Sequence, residues 1–206
     1  MRKLMILSWM FILIFTFSLS HSTAQATTYT FTPTPIDMYD LDHSYAYSWQ
    51  INWSLPAGQT ITGASLSFSG IYDWTAESNI LYLQLMDTTP SNGTDMTHGI
   101  IQYYDNQASG NYFSSSGIQL TSQSFTTTPV PYTYTFNSTQ LNTLATYASD
   151  GKFYLGFDPD CHYYNSGITF TITTSQSVPE PSTFLFLGSG LLLGFVFLRK
   201  RVKQNI

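Results

Sequence analysis

Between Ser44 and Trp53 the chain alternates. Tyr45, Tyr47, Trp49, Ile51 and Trp53 are interleaved with Ser44, Ala46, Ser48, Gln50 and Asn52. A period of two places the aromatic set on one side of a strand, and that side is expected to face the core. Runs rich in β-branched and aromatic residues follow at 61–69, 80–86, 100–104, 132–136, 153–157 and 168–173. Their composition favours the same state. Turn chemistry separates them at Pro56-Ala57-Gly58, Ser91-Asn92-Gly93, Ser109-Gly110-Asn111 and Asn165-Ser166-Gly167. One segment changes period: Leu141, Leu144 and Tyr147 recur at helical spacing, with Ser138 placed to cap the start and Gly151 to end it. The pattern predicts an all-β domain, a β-sandwich of jelly-roll-like kind with one short helix across an end of the sheets.

The two ends break this pattern. Met1-Arg2-Lys3 precedes an apolar run that reaches Ala24-Gln25-Ala26, the order of a secretory signal peptide with cleavage after Ala26. Residues 184–198 form an uncharged apolar stretch of 15 residues, followed by Arg199, Lys200 and Arg201. As a helix it would cover roughly 22 Å of a hydrocarbon core about 30 Å thick. Snorkelling of the basic cluster and local thinning close that gap, and the positive-inside rule keeps the cluster cytoplasmic. The expected organisation is therefore a signal peptide (1–26), a β-sandwich domain (27–174), an extended linker (175–183), a short transmembrane helix (184–198) and a basic tail (199–206).

Charge is divided just as unevenly. Residues 27–178 carry eleven carboxylates against the single Lys152, a net charge of −10, because the other six basic residues lie in the terminal segments. Such a surface excludes nucleic acid, whose phosphates need Lys and Arg. It suits divalent cations, neutral sugars or simple solubility outside the cell. Cys161 is the only cysteine, so no intramolecular disulfide exists.

The C-terminal order is specific. Val178, Pro179, Glu180 and Pro181, then the glycine-containing apolar run with Gly188, Gly190 and Gly194, then Arg199-Lys200-Arg201 resemble the PEP-CTERM sorting signal. The resemblance implies processing near the motif by an exosortase, a membrane cysteine protease. It implies a transient inner-membrane intermediate and delivery to the cell surface or extracellular matrix of an exopolysaccharide-making bacterium. Prolines on both sides of Glu180 keep the backbone extended and stop the helix running through the cleavage region. Three stretches of the exported region, ITGASLSFSGIYDW, LYLQLMD and LGFDPDCHYYNSGITFTI, are similar to a group of PEP-CTERM proteins of uncharacterised activity. That likeness implies fold and address, and no chemistry.

Functional groups are densest at 158–165, read as a loop because of Pro159. Asp158, Asp160 and Asn165 are candidate oxygen ligands for Ca²⁺, with Asp37, Asp40, Asp42 or Asp150 available to complete a shell. The same residues also suit an Asx-rich turn that accepts backbone N–H groups. A softer metal site would combine Cys161 and His162 with His43 or His98, although adjacent residues in extended chain point apart. Tyr72, Asp73 and Trp74, at a strand end, are a candidate aromatic and carboxylate pair for a sugar. No nucleophile signature surrounds Cys161. The expected protein is a non-catalytic structural or adhesive component of exopolysaccharide or biofilm. The alternative is a carbohydrate-binding module with a calcium site, and after it a secreted hydrolase.

Overall fold

The computed structural model describes residues 25–77, 79–106 and 109–176. Residues 1–24 of the expected signal peptide, Val178 with the Pro-Glu-Pro motif, the expected transmembrane helix and the basic cluster lie outside the described residues, whereas Ala26 of the expected cleavage site is described and begins a strand. Among those described, no helix is long and apolar enough to cross a membrane.

Two antiparallel sheets build the domain. The first contains β1 (Ala26–Phe31), β3 (Gln59–Asp73), β8 (Val130–Thr135), β10 (Tyr163–Asn165) and β11 (Ile168–Gln176). The second runs in the order β5 (Thr94–Asp95), β6 (Ile100–Tyr104), β2 (Tyr45–Asn52), β9 (Lys152–Pro159), β4 (Leu81–Met86) and β7 (Ile118–Gln123). The long β3 organises the first sheet. β10 and β11 follow one another along it in a single register, Tyr163 opposite Asp73 and Ile168 opposite Phe68, while β8 pairs with it as well.

The two inner faces share one core. Tyr47, Trp49, Ile51, Phe153, Leu155 and Phe157 of the second sheet join Leu66, Phe68, Phe170 and Ile172 of the first. Edge-on aromatic pairs bridge the sheets, Phe68 to Phe157 at 6.2 Å and Phe153 to Phe170 at 5.9 Å between ring centres. Each fully buried phenylalanine stabilises the fold by about 1.5–3 kcal/mol. The alternation of 44–53 is borne out: Tyr45, Tyr47, Trp49, Ile51 and Trp53 all lie in or against this core.

The second sheet is covered on its other face too. Ala46, Met86, Tyr103 and Tyr154 form a smaller cluster capped by Phe113, from the segment between β6 and β7. Gln84 holds that segment by donating Nε2 to the carbonyl of Phe113 at 2.9 Å and of Ser116 at 3.2 Å.

The helix α1 (Ser138–Tyr147) forms where its spacing predicts, but its cap is Asn137 rather than Ser138. Asn137 accepts from the Gln140 backbone N–H at 3.0 Å, and the Gln140 side chain accepts from the Asn137 N–H at 2.9 Å. That reciprocal pair satisfies two of the donors a helix start leaves open. A 3-10 turn, Ala148–Asp150, continues α1 until Gly151 ends it at φ 98°. Leu144 and Ala148 enter the core.

Three expectations need correction. β1, β5, β7 and β10 are strands that the period of two did not reveal, and β10 places Asn165 in a strand paired with β3 rather than in a loop. β9 extends through Pro159, so Asp158 stands in a strand rather than a loop. Pro159 closes that strand opposite Leu81, at an end where its missing N–H costs the ladder little. The first sheet also continues past residue 174: Ser175 pairs with Ala26 and Thr60, and Gln176 with Gln59.

Candidate functional site

At one end of the domain β3 and β9 finish while β2 and β10 begin, and the chemistry-bearing residues gather there. Asp42 and His43 sit just before β2, Trp74 just after β3, and His162 just before β10. The Trp74 N–H donates to the His162 carbonyl at 3.2 Å, tying the end of β3 to the start of β10.

The segment that delivers Asp42 and His43 is unusual. Met38, Tyr39, Asp40 and Leu41 all have positive φ, between 46° and 61°. Left-handed backbone costs a residue with a side chain roughly 1–2 kcal/mol. Four in succession persist because the turn is tied down from several sides. Met38 and Leu41 are fully buried in the core. Asn165 donates Nδ2 to the Asp37 carbonyl at 2.8 Å, and its N–H reaches Asp40 Oδ1 at 3.4 Å. The Ile168 N–H donates to the Ile36 carbonyl at 2.8 Å. Beyond the turn, Asp42 Oδ1 accepts from the Ser44 N–H at 2.8 Å, and the Asp42 N–H donates to the Tyr47 hydroxyl at 3.1 Å.

One ligating atom from each of Asp42, His43 and His162 lies within 4.8 Å of the others. His43 Nδ1 and His162 Nε2 are buried and have no hydrogen-bond partner. Aromatic rings surround the imidazoles. Trp74 stacks on His162 at 5.7 Å and 28°, Tyr164 lies 4.6 Å from His162, and Tyr72 stacks on Tyr164 at 5.3 Å. Burial pushes the His162 pKa down and the neighbouring His43 adds to this, while Asp42 and Asp40 oppose it. The net direction favours neutral imidazole.

The candidates of the 158–165 stretch divide between two structural roles. Asp158 is 1% exposed, on the face of β9 that carries Tyr154. Its Oδ2 accepts from the Tyr112 N–H at 2.7 Å, and its Oδ1 is buried without a partner. Burial raises its pKa to about 7, with the charges of Asp105 and Asp160 adding to the effect and the Tyr112 N–H opposing it. Asp160 Oδ1 accepts from the Gly110 N–H at 3.3 Å. Both carboxylates thus hold the 110–112 segment. Asn165 instead holds the left-handed turn, and its Oδ1 accepts from the Gly167 N–H at 3.1 Å. Only the Asn165 contact to Gly167 is a local Asx turn; Asp158 and Asp160 accept from a segment 46 and 50 residues away in sequence.

Tyr72, Asp73 and Trp74 also separate. Trp74 is 51% exposed, whereas Asp73 is buried. Asp73 Oδ2 accepts from Asn79 Nδ2 at 2.7 Å, and its Oδ1 from the Thr75 N–H at 3.1 Å. Asp73 therefore shapes the turn that presents Trp74 and is not itself offered to a ligand. Cys161 is half-buried and free, and neither it nor the exposed His98 joins the Asp42–His43–His162 group. Sequence reading set His162 beside His43 or His98 but took Cys161 as the further ligand, and it placed Asp42 in a separate calcium shell, so it missed the union of Asp42 with the two histidines. The available signal was that His162 directly precedes a strand and that His43 stands two residues before one. Elsewhere, a hollow of about 450 Å³ opens between 87–92, 115–117 and Tyr147, and none of the sequence candidates lines it.

The class is thus an all-β, sandwich-like domain with an aromatic-rimmed histidine and carboxylate cluster at one end. Its C-terminal sequence is more specific: residues 177–201 match the PEP-CTERM protein-sorting motif. The chain carries that motif and is, by it, a protein targeted for export through exosortase to the cell surface. No curated protein and no solved structure matches the chain.

Proposed function

We propose that this protein is a non-catalytic structural or adhesive component of the cell surface or extracellular matrix, released into exopolysaccharide after exosortase cleavage. The observation that carries the reading is the sorting motif at 177–201. An apolar stretch of 15 residues serves as a handle during passage through the inner membrane, and cutting near Pro179-Glu180-Pro181 frees the domain from it. A net charge of −10 over 27–178 keeps the freed domain soluble. The test replaces Pro179, Glu180 and Pro181 together by alanine and follows the protein by fractionation. Retention in the membrane fraction is expected, and release equal to wild type would overturn the sorting step.

A second reading, a carbohydrate-binding module, is favoured by Trp74. An exposed indole backed by His162, beside stacked Tyr164 and Tyr72, offers a sugar ring an apolar face. Binding on a glycan array that disappears in Trp74→Ala would move the reading from matrix scaffold to matrix lectin.

A further inference from the structure

We propose that Asp42, His43 and His162 form a binding site for one divalent transition-metal ion of the Zn²⁺ type. This goes beyond the sorting and matrix reading and does not depend on it.

Three observations converge. The first is the donor set. Two imidazole nitrogens and one carboxylate oxygen make up a facial set common to zinc and to other late first-row metals, and they leave at least one position open. The three ligating atoms lie within 4.8 Å of one another. Ligands of a tetrahedral ion at about 2.0–2.1 Å stand roughly 3.3 Å apart, a difference within reach of side-chain rotation.

The second is polar satisfaction. Buried polar atoms in folded proteins are nearly all hydrogen-bonded, and each exception needs a physical reason. His43 Nδ1 and His162 Nε2 are two such exceptions, on the two histidines of one cluster. A buried imidazole nitrogen without a partner is costly to desolvate, and an ion accepting the lone pairs of these two nitrogens removes that cost.

The third is how the ligands are held. Asp42 and His43 follow four residues of left-handed backbone, and strain of this kind gathers where a site must be pre-formed. Asn165 clamps that turn from β10, three residues after His162. One short strand therefore fixes both halves of the site, and Asn165 is its positioning residue. The Trp74 ring against His162 limits the imidazole's rotation.

Nitrogen donors make the site selective. Ca²⁺ takes six to eight oxygen ligands, and a His₂Asp set meets that demand poorly. Cys161 adjoins His162 in sequence but is outside the group, so the bound ion has no thiolate.

The test uses the full chain in mild detergent, without a histidine tag and stripped by chelator. Zn²⁺ is titrated by calorimetry and thermal unfolding, and Co²⁺ serves as a spectroscopic probe. One equivalent of Zn²⁺ is expected to bind and raise the Tm by several degrees. Co²⁺ is expected to give visible bands without thiolate charge-transfer absorption. His43→Gln and His162→Gln are each expected to weaken Zn²⁺ by about a hundredfold, and Asp42→Asn and Asn165→Ala by about tenfold. His98→Gln and Cys161→Ser are expected to bind as wild type. The proposal is overturned if wild type binds no Zn²⁺, if the two histidine variants bind as wild type, if Cys161→Ser abolishes binding, or if Ca²⁺ competes on equal terms. The Co²⁺ spectrum requires only wild-type protein, so it decides the ligand type even where a variant fails to fold.

Discussion

Asn165 Nδ2 donates to the carbonyl of Asp37 at 2.8 Å, joining residues 128 positions apart. The same residue gives its N–H to Asp40 and takes the Gly167 N–H on its Oδ1. Each bond contributes about 0.5–1.5 kcal/mol net. Asn165→Ala keeps the backbone N–H but removes the two side-chain bonds, and is therefore expected to lower the unfolding free energy by about 1–3 kcal/mol, read from urea titration. Asn165→Asp keeps the acceptor for Gly167 but sets a carboxylate against the Asp37 carbonyl, and should cost at least as much near neutral pH. A loss below about 0.5 kcal/mol in the alanine variant would mean that the left-handed turn supports itself.

Gly117 is the position where a methyl group is least tolerable. Its φ is 91°, and an added Cβ would collide with the Leu85 carbonyl oxygen and approach the Met86 Cα at 2.9 Å. Gly117→Ala combines a backbone cost of about 1 kcal/mol with overlap worth about 1–3 kcal/mol. Gly151 has a similar φ of 98° but open space around its Cβ. Gly151→Ala should cost only the backbone part. Denaturant midpoints of the two variants, compared at equal slope, separate the contributions. Equal shifts would show that β4 moves away at no cost.

Trp74 presents about half of its surface to solvent, and the contacts seen for its ring are to His43 and His162. Trp74→Ala is expected to change stability by less than about 1 kcal/mol, since little core is lost. Co-sedimentation with exopolysaccharide should fall in the same variant. A large loss of stability would instead make the indole a structural lid over the histidines.

The fold was legible where one residue face differed from the other. In 44–53 the inward set is large and aromatic and the outward set small or polar, so the period survives even though Ala46 and Ser48 are buried. It fails in β7, where only Ile118 and Leu120 mark the inward face. It fails in β1, whose Thr-Thr-Tyr-Thr sequence follows directly on a leader-like segment. Asp158 was misread for a different reason. Tyr154, Gly156 and Asp158 face a cover brought from 110–116, and no local pattern reports a cover so distant in sequence. The site was legible in its parts only. Asp42 and His162 meet because β2 and β10 start at the same end of two different sheets, which is a fact of topology.

The same cover makes the domain's stability depend on pH through Asp158. Its carboxyl is buried, one oxygen lacks a partner, and burial raises the folded-state pKa to about 7. In the unfolded chain an aspartate titrates near 3.9. Between these values the folded state holds a proton that the unfolded state has released. Unfolding free energy from this group therefore falls as pH rises from about 4 through about 7, and stays low above that. The direction is opposite to that of a salt-bridged aspartate. Asp158→Asn removes the ionisation while keeping an oxygen for the Tyr112 N–H. The variant is expected to match wild type near pH 4.5 and to exceed it by about 1–3 kcal/mol at pH 8. Thermal unfolding of both proteins across pH 4–9 checks this, with the apo protein used throughout so that metal binding does not contribute. A wild-type curve that rises over the same window would mean that Asp158 is ionised in the fold, and that a cation or donor reaches its Oδ1.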